Sequence, residues 1–426
     1  MRIILGSAVL VAAASTFLLA CGSDATTVVA PQPDAGDPDA GVQADAQVDA
    51  SPPAPFPAFA IDAPQVANAG GARLATPKLI PIYFSNDDTT FTAKVTDFLG
   101  KIGASAYWPP PTKEYGVGTP TAAPPVQLVE TAPATLTDAQ IQTWLAGKLN
   151  ADDPAFPAAD ANSLYILYYP STTSVSDGQG TSCKDFGGYH GSIALDSAHG
   201  TKPVAYAVIP RCATFANLTG INVVTGTSSH EIIEAATDPY PQSDPAYSSV
   251  DPDHIAWMFF LGGGELGDMC AQFPGVFYKP SDLSYDVQRS WSNLSAKQGH
   301  DPCLPAMPGP YFNTMPVLTD KITLGGGQII TKGVTIPVGQ SKTVALQLFS
   351  DVDTGGDWTV TAIDSATLRQ QPAELELTTD KPGGHNGDVL NLTVKVLKAG
   401  QYGAEGFLLE SDLGGRKTLW VGLVGN

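Results

Sequence analysis

Positive charge is scarce in this chain: 22 lysines and arginines stand against 42 aspartates and glutamates, a formal net charge of −20 over 426 residues. Such a surface makes nucleic acid a poor partner, because phosphate binding depends on basic groups that release counterions. Histidine occurs only six times, glutamate only nine, and the five cysteines include no close pair. Without close pairs, a four-cysteine zinc site has little to build on. No Walker loop, dinucleotide-binding glycine fingerprint or Gly-x-Ser-x-Gly elbow occurs, so nucleotide and serine-hydrolase chemistry have no support. The longest apolar run near the start, residues 3–14, falls short of the roughly 20 residues a membrane span needs and is followed by Ser15 and Thr16.

That run instead has the form of an export signal. Arg2, the apolar stretch and the ending Leu18-Leu19-Ala20-Cys21 make residues 1–20 a lipoprotein signal peptide, with Cys21 the first mature residue and the site of lipidation. Gly22, rather than Asp, follows the cysteine, which suits transport to an outer membrane. The expected location is the bacterial cell envelope, lipid-anchored to the membrane at the outer membrane or cell surface. Residues 21–55, rich in Ala, Asp and Pro and free of lysine and arginine, read as a disordered acidic tether. Asp24, Asp34, Asp37, Asp39, Asp45 and Asp49 place six negative charges there, so the overall acidity says little about the folded part.

In an exported chain, the four remaining cysteines, Cys183, Cys212, Cys270 and Cys303, point to two disulfides. Three pairings are open, and Cys183 with Cys212 and Cys270 with Cys303 is favoured because neighbours in sequence pair at low topological cost.

Two folded regions are expected. Residues 56–305 alternate strand-like and helix-like stretches: a strand over 78–84, a helix over 90–103, a helix over 136–150, strands over 163–169 and 203–210, and a helix over 223–237 ended by Asp238-Pro239. This pattern predicts an α/β domain, with α+β as the alternative. Residues 306–426 change to short alternating runs with turns such as Gly355-Gly356, Gly383-Gly384 and Gly414-Gly415, which predicts an all-β sandwich of immunoglobulin type.

The chemistry concentrates at Ser229-His230-Glu231-Ile232-Ile233-Glu234, where His230 and Glu234 stand at i and i+4 on one helix face. Both are candidate metal ligands. Glu231 is the candidate catalytic base, placed to take a proton from water at the ion as in the H-E-x-x-H arrangement. The plainer reading is an ordinary His–Glu pair on an amphipathic helix. Glutamate in place of the second histidine makes the site harder and more anionic, so zinc or another divalent cation is expected. Gly262-Gly263-Gly264-Glu265-Leu266-Gly267-Asp268-Met269-Cys270 is the best source of further groups, with Glu265 as third ligand and Asp268 as an additional ligand or an orienting carboxylate. His190, in Gly188-Tyr189-His190-Gly191, is a candidate additional ligand or, behind the ligands, a stabiliser of the transition state. His254 and the aromatic residues Trp108, Tyr115, Trp257 and Trp291 are weaker candidates, for metal and for a sugar or peptide cleft respectively.

These segments resemble the EXORDIUM, or phosphate-induced, family of secreted plant proteins and its bacterial relatives. The shared features are a Gly-x-His-Gly segment after a cysteine, a His-Glu-x-x-Glu helix followed by Thr-Asn/Asp-Pro, and Glu-x-x-Asp-x-Cys, falling here on residues 188–191, 230–239 and 265–270. Trp291-Ser292-Asn293 before Cys303 is also similar. The resemblance implies an extracellular role linked to cell walls and growth. The expectation is therefore a cell-surface lipoprotein with a metalloprotease-like, zinc-dependent metallohydrolase domain acting on peptides. The alternative is a non-catalytic module binding cell-wall polysaccharide or protein.

Overall fold

The computed structural model describes residues 54–426 apart from 201–202 and 325–326. The signal peptide, Cys21 and nearly all of the tether lie outside the described residues. No helix among the described residues is long and apolar enough to cross a membrane.

Three apolar runs form the centre of the first half. Lys78–Tyr83, Ser163–Tyr169 and Val204–Pro210 are parallel neighbours, with Leu79 opposite Leu164 and Leu167 opposite Val208. Thr121–Ala122 and Val126–Gln127 extend the sheet in parallel beyond the first of them. At the opposite edge Tyr189–Ile193 runs antiparallel to Val204–Pro210, with His190 opposite Ala207. Near-continuous apolar composition is what a sheet covered on both faces demands. Alternate residues divide accordingly: Leu79, Tyr83, Leu164 and Ile166 pack with the helices Thr89–Ile102 and Ile221–Thr237, while Ile80, Ile82, Tyr165 and Leu167 pack with the helix Asp138–Asn150.

The helix boundaries follow their caps. Asp88 accepts hydrogen bonds from the backbone N–H groups of Thr90 and Phe91, starting the first helix one residue before the expected position. Thr137 and Gln140 form a reciprocal capping box, so the next helix begins at Asp138. Its expected first residues, Leu136 and Thr137, are drawn instead into a short parallel pair with Ser174–Ser176. The edge strand Tyr189–Ile193 was not expected, because Tyr-His-Gly-Ser-Ile carries too few apolar residues to signal a strand.

The second half is a two-sheet β-sandwich. One sheet orders the strands Phe312–Pro316, Ser341–Ser350, Val389–Val396 and Leu375–Thr379. The other orders Asp320–Leu324, Ile329–Thr335, Arg416–Gly425, Ala404–Leu413, Trp358–Asp364 and Gly383–Gly384. All pairings in these sheets are antiparallel except that of Ile329–Thr335 with Arg416–Gly425.

The apolar core runs on through residue 305. Trp257 meets Trp291 edge-on at 5.9 Å between ring centroids and Trp420 of the sandwich at 5.4 Å, and Trp420 in turn meets Phe349 at 5.8 Å. Polar ties cross at the same place: Thr331 Oγ1 donates to the Asp253 carbonyl, and Lys332 Nζ lies 2.8 Å from both Asp62 oxygens. The leading segment is tied down too, since Asn386 accepts from the Ala58 N–H and donates to the Pro55 carbonyl. Trp108, Tyr115, Trp257 and Trp291 are all at most 2% exposed. These aromatics are core residues, and Trp257 also borders a small pocket with Asp62, His254 and Trp420.

Candidate metal centre

The helix Ile221–Thr237 is buried on almost every side, its apolar residues and also its small polar ones, Thr225, Ser228, Ser229 and Thr237, being covered. Ile232, Ile233, Ala235 and Ala236 are fully covered, Ser228 Oγ lies 3.1 Å from the Tyr168 hydroxyl, and Ser229 Oγ accepts the Gln288 N–H. This packing fixes the helix and turns His230, Glu231 and Glu234 toward two neighbours: the edge strand and the loop 262–268.

The edge strand brings His190. A Cβ at Gly188 would lie 2.5 Å from Thr227 Cγ2, so only glycine lets the strand approach the helix one turn before Glu231. His190 Nδ1 then lies 3.5 Å from Glu231 Oε2 and 3.8 Å from Glu234 Oε2. Its other nitrogen, Nε2, lies 3.2 Å from the Asp238 carbonyl oxygen and 3.4 Å from Glu265 Oε1.

The loop brings Asp268. It is held by the Trp291 N–H donating to the Leu266 carbonyl, by Gln288 Nε2 donating to the Gly267 carbonyl, and by the Cys270–Cys303 disulfide. The second disulfide joins Cys183 to Cys212, so the pairing is the one between sequence neighbours. The Asp268 N–H donates to Glu234 Oε1 at 3.0 Å, and Asp268 Oδ1 lies 3.7 Å from His230 Nε2. His230 Nε2 is also 3.0 Å from Glu234 Oε2. At Gly267 an added Cβ would sit 2.6 Å from His230 Nδ1 and 2.8 Å from Glu234 Oε1. Gly267→Ala is therefore expected to weaken divalent-cation binding at least ~10-fold, the scale of losses on disturbing groups that orient metal ligands. Isothermal titration with Zn2+ measures this, and unchanged affinity would show that the close approach is dispensable.

The structure thus gathers the sequence-predicted residues into two overlapping sets with ligand atoms within 4.8 Å of one another: His230, Glu234 and Asp268, and His190, Glu231 and Glu234. Glu234 belongs to both. Glu265, expected as the third ligand, belongs to neither set. It stands behind His190, on the far side of the ring from Glu231, whereas the turn at Gly267 presents Asp268 to His230. Glu231, expected as the catalytic base next to the ligand His230, is grouped with His190 and Glu234. Asp238 was seen in the sequence only as a helix stop, yet its carbonyl faces His190 and its Oδ2 is buried with no hydrogen-bond partner. The Asp-Pro pair was the available signal, since the same residue both ends the helix and reaches the site. His254 pairs with Asp251 and lies 3.1 Å from the Asp62 carbonyl oxygen, away from both sets.

Electrostatics favour a cation. Five carboxyl groups, on Glu231, Glu234, Asp238, Glu265 and Asp268, surround two imidazoles. Burying that excess of negative charge uncompensated is expensive. Burial pushes both imidazoles down, but the surrounding carboxylates, led by Glu265 for His190 and Glu234 for His230, outweigh it and hold both well above the ordinary histidine value. Burial pushes Glu265 up to about 8 and Asp268 up to about 7, and in both the charge on Glu234 adds to the rise. Burial would raise Glu234 too, but His230 and His190 keep it below the ordinary range. In effect protons occupy the place of positive charge. The Glu265 Oε1 and Asp238 Oδ2 atoms, both buried without hydrogen-bond partners, fit the same need. Imidazole with carboxylates suits zinc and also harder ions such as manganese.

The chain matches no protein-family model and no curated protein. Among solved structures it is similar to surface-layer protein SbsC, domains 4 and 5, at 14% identity over 36% of this chain and 66% of that one, with a TM-score of 0.17. A longer SbsC structure, domains 1–6, aligns at 11% identity over 59% of this chain and 37% of that one, TM-score 0.17. An I-band fragment of titin aligns at 16% identity over 28% of this chain and 33% of that one, TM-score 0.16. Likenesses of this size assign neither fold nor function.

Proposed function

We propose that this protein is an exported, divalent-cation-dependent hydrolase of metalloprotease-like type, tethered to the cell envelope through Cys21 and acting on extended polypeptide. The carrying observation is that the His-Glu-x-x-Glu helix sets His230 and Glu234 one turn apart and the fixed loop adds Asp268, a three-ligand set with one face toward solvent. The side chains of His230 and Asp268 are 14% and 25% exposed, against 3% for Glu234, so the approach lies on their side. A mixed sheet whose antiparallel edge strand adjoins this helix supports the metalloprotease-like reading. The outer edge of Tyr189–Ile193 has no strand partner among the described residues, and its backbone offers a ladder to an extended peptide. The three segments that resemble the EXORDIUM family converge on this one place, which supports treating them as a single working unit.

Zinc or a similar ion held by His230, Glu234 and Asp268 would polarise a scissile carbonyl and make water more acidic. The protein's own part is positional. The Asp268 N–H locks Glu234 Oε1 so that Oε2 faces the two histidines, and Gly267 admits His230. His190 and Glu231 form the other half of the site, and turnover requires both.

The test uses the full chain, with metal content measured by mass spectrometry alongside cleavage of a fluorogenic peptide library. Chelation is expected to abolish cleavage and Zn2+ or Mn2+ to restore it. Glu231→Gln is expected to lower turnover by ~100-fold or more while the His230 set keeps its ion, and His230→Ala to lose that ion. Cleavage that survives chelation, or that Glu231→Gln leaves intact, would rule the reading out.

A second reading is favoured by one observation: the His190, Glu231 and Glu234 side chains are only 4%, 6% and 3% exposed, which suits an ion held for stability. On that reading the protein is a non-catalytic module for cell-wall polysaccharide or protein. Chelation would then lower the melting temperature, and no peptide would be cleaved with or without the ion.

A further inference from the structure

We infer that the site holds two divalent cations, one in the His230–Glu234–Asp268 set and a second in the His190–Glu231–Glu234 set, with the Glu234 carboxylate bridging them. The inference rests on the ion-dependent reading above and deepens it.

His190 carries the argument. Its side chain is 4% exposed, and both ring nitrogens face only acceptors. Nε2 lies 3.2 Å from the Asp238 carbonyl oxygen, the partner that a metal-ligating histidine ordinarily takes for its remaining N–H. Nδ1, on the other side of the ring, faces Glu231 Oε2 at 3.5 Å and Glu234 Oε2 at 3.8 Å. These separations are too long for good hydrogen bonds. A cation among the three atoms would take the place of the proton that otherwise balances the two carboxylates.

Glu234 is built to bridge. Its Oε1 is fixed by the Asp268 N–H at 3.0 Å, while Oε2 lies within 3.0 Å of His230 Nε2 and 3.8 Å of His190 Nδ1, so one oxygen serves both sets. The buried Glu265 Oε1, without a hydrogen-bond partner, lies 3.4 Å from His190 Nε2 on the side of the ring away from the second set. Nothing in the first set draws on His190 or Glu231, so a single ion there leaves this half unexplained.

The chemical consequence concerns the class of reaction. Paired ions about 3.5–4 Å apart would together activate the attacking water and polarise the carbonyl oxygen of a peptide, whose amine leaves on protonation, a two-ion device that aminopeptidases share with phosphoesterases. In that form Glu231 is a ligand of the second ion, and its requirement for turnover follows from that ion.

The experiment is metal stoichiometry on the full chain after reconstitution with Zn2+ and, separately, Mn2+, measured by mass spectrometry, with electron paramagnetic resonance of the manganese form. The expected result is two equivalents in the wild type, one in Glu231→Gln and His190→Ala, one in Asp268→Asn, and a spin-coupled manganese signal lost in Glu231→Gln. One equivalent in a wild type that cleaves peptide would overturn the second site and leave the hydrolase reading standing. No bound ion would overturn both. Two equivalents retained in Glu231→Gln would place the second ion elsewhere and overturn the inference, with circular dichroism confirming that the isosteric variant is folded.

Discussion

A chain ending at residue 305 is expected not to fold on its own. The sequence divides at Pro302-Cys303-Leu304-Pro305, where helix-and-strand alternation gives way to short strands, but the core crosses that division. Trp257 is 2% exposed and is capped by Trp420, while Phe312, Phe349 and Trp420 belong to the same apolar cluster as Trp291 and Phe273. Removing residues 306–426 bares this surface. At about 25 cal/mol per Å2, each 200 Å2 of newly exposed apolar area costs about 5 kcal/mol, against a total stability of about 5–15 kcal/mol for a typical domain. The loop bearing Asp268 should suffer first, because its anchor Trp291 packs edge-on against Trp257. Thermal unfolding followed by circular dichroism checks this. A fragment of residues 54–305 that melts cooperatively within a few degrees of the full chain would show that the sandwich is dispensable.

The cation-free protein is expected to lose stability as pH rises from 5 to 8.5. Burial raises Glu265 to about 8 and Asp268 to about 7 in the folded state, whereas the unfolded chain releases these protons near pH 4. Below that both states are protonated and nothing is lost. As the pH climbs through 7 and 8, the folded protein must surrender protons it binds more tightly than the unfolded chain does, so stability falls. The raised histidines act in the same direction, their contribution being complete below the ordinary histidine value and lost above it. Glu234 acts oppositely: its lowered value gives stability above the ordinary glutamate range that disappears on acidification.

The combined effect is on the order of a few kcal/mol, enough to move the melting temperature by roughly 5 °C or more. Excess Zn2+ or Mn2+ should abolish this decline, because the ion supplies the positive charge that protons supply without it, and its binding should release protons at neutral pH. Calorimetry across pH 5–8.5, with chelator and with cation, makes the comparison. A flat melting temperature in chelator would mean that the carboxyl cluster is not strained by its own charge.

Much of the fold was legible in the sequence because its signals are local. The strand Ser163–Tyr169 is an unbroken apolar run, Thr137 and Gln140 mark a helix start by capping chemistry, and Asp238-Pro239 marks a helix stop. His230 and Glu234 could be paired from the 3.6-residue period alone. The strands of the sandwich showed through alternation and the glycine pairs at 355–356 and 414–415, though Gly383-Gly384, expected as a turn, pairs as a strand with Trp358 and Thr359, and export chemistry led to the two disulfides.

Only the tertiary structure decided which groups share the site. His190 lies 40 positions before His230 and Asp268 lies 38 after it. Their approach depends on sheet order, on glycines that leave room for a neighbour, and on a loop pinned by Trp291. None of these has a periodic signature. Glu265 and Asp268 are equivalent candidates by composition and spacing, and the turn at Gly267 alone turns one toward His230 and the other toward His190. The sharing of one core across residue 305 was hidden for the same reason. A sequence records which residues are apolar, and packing determines against which partner each is buried.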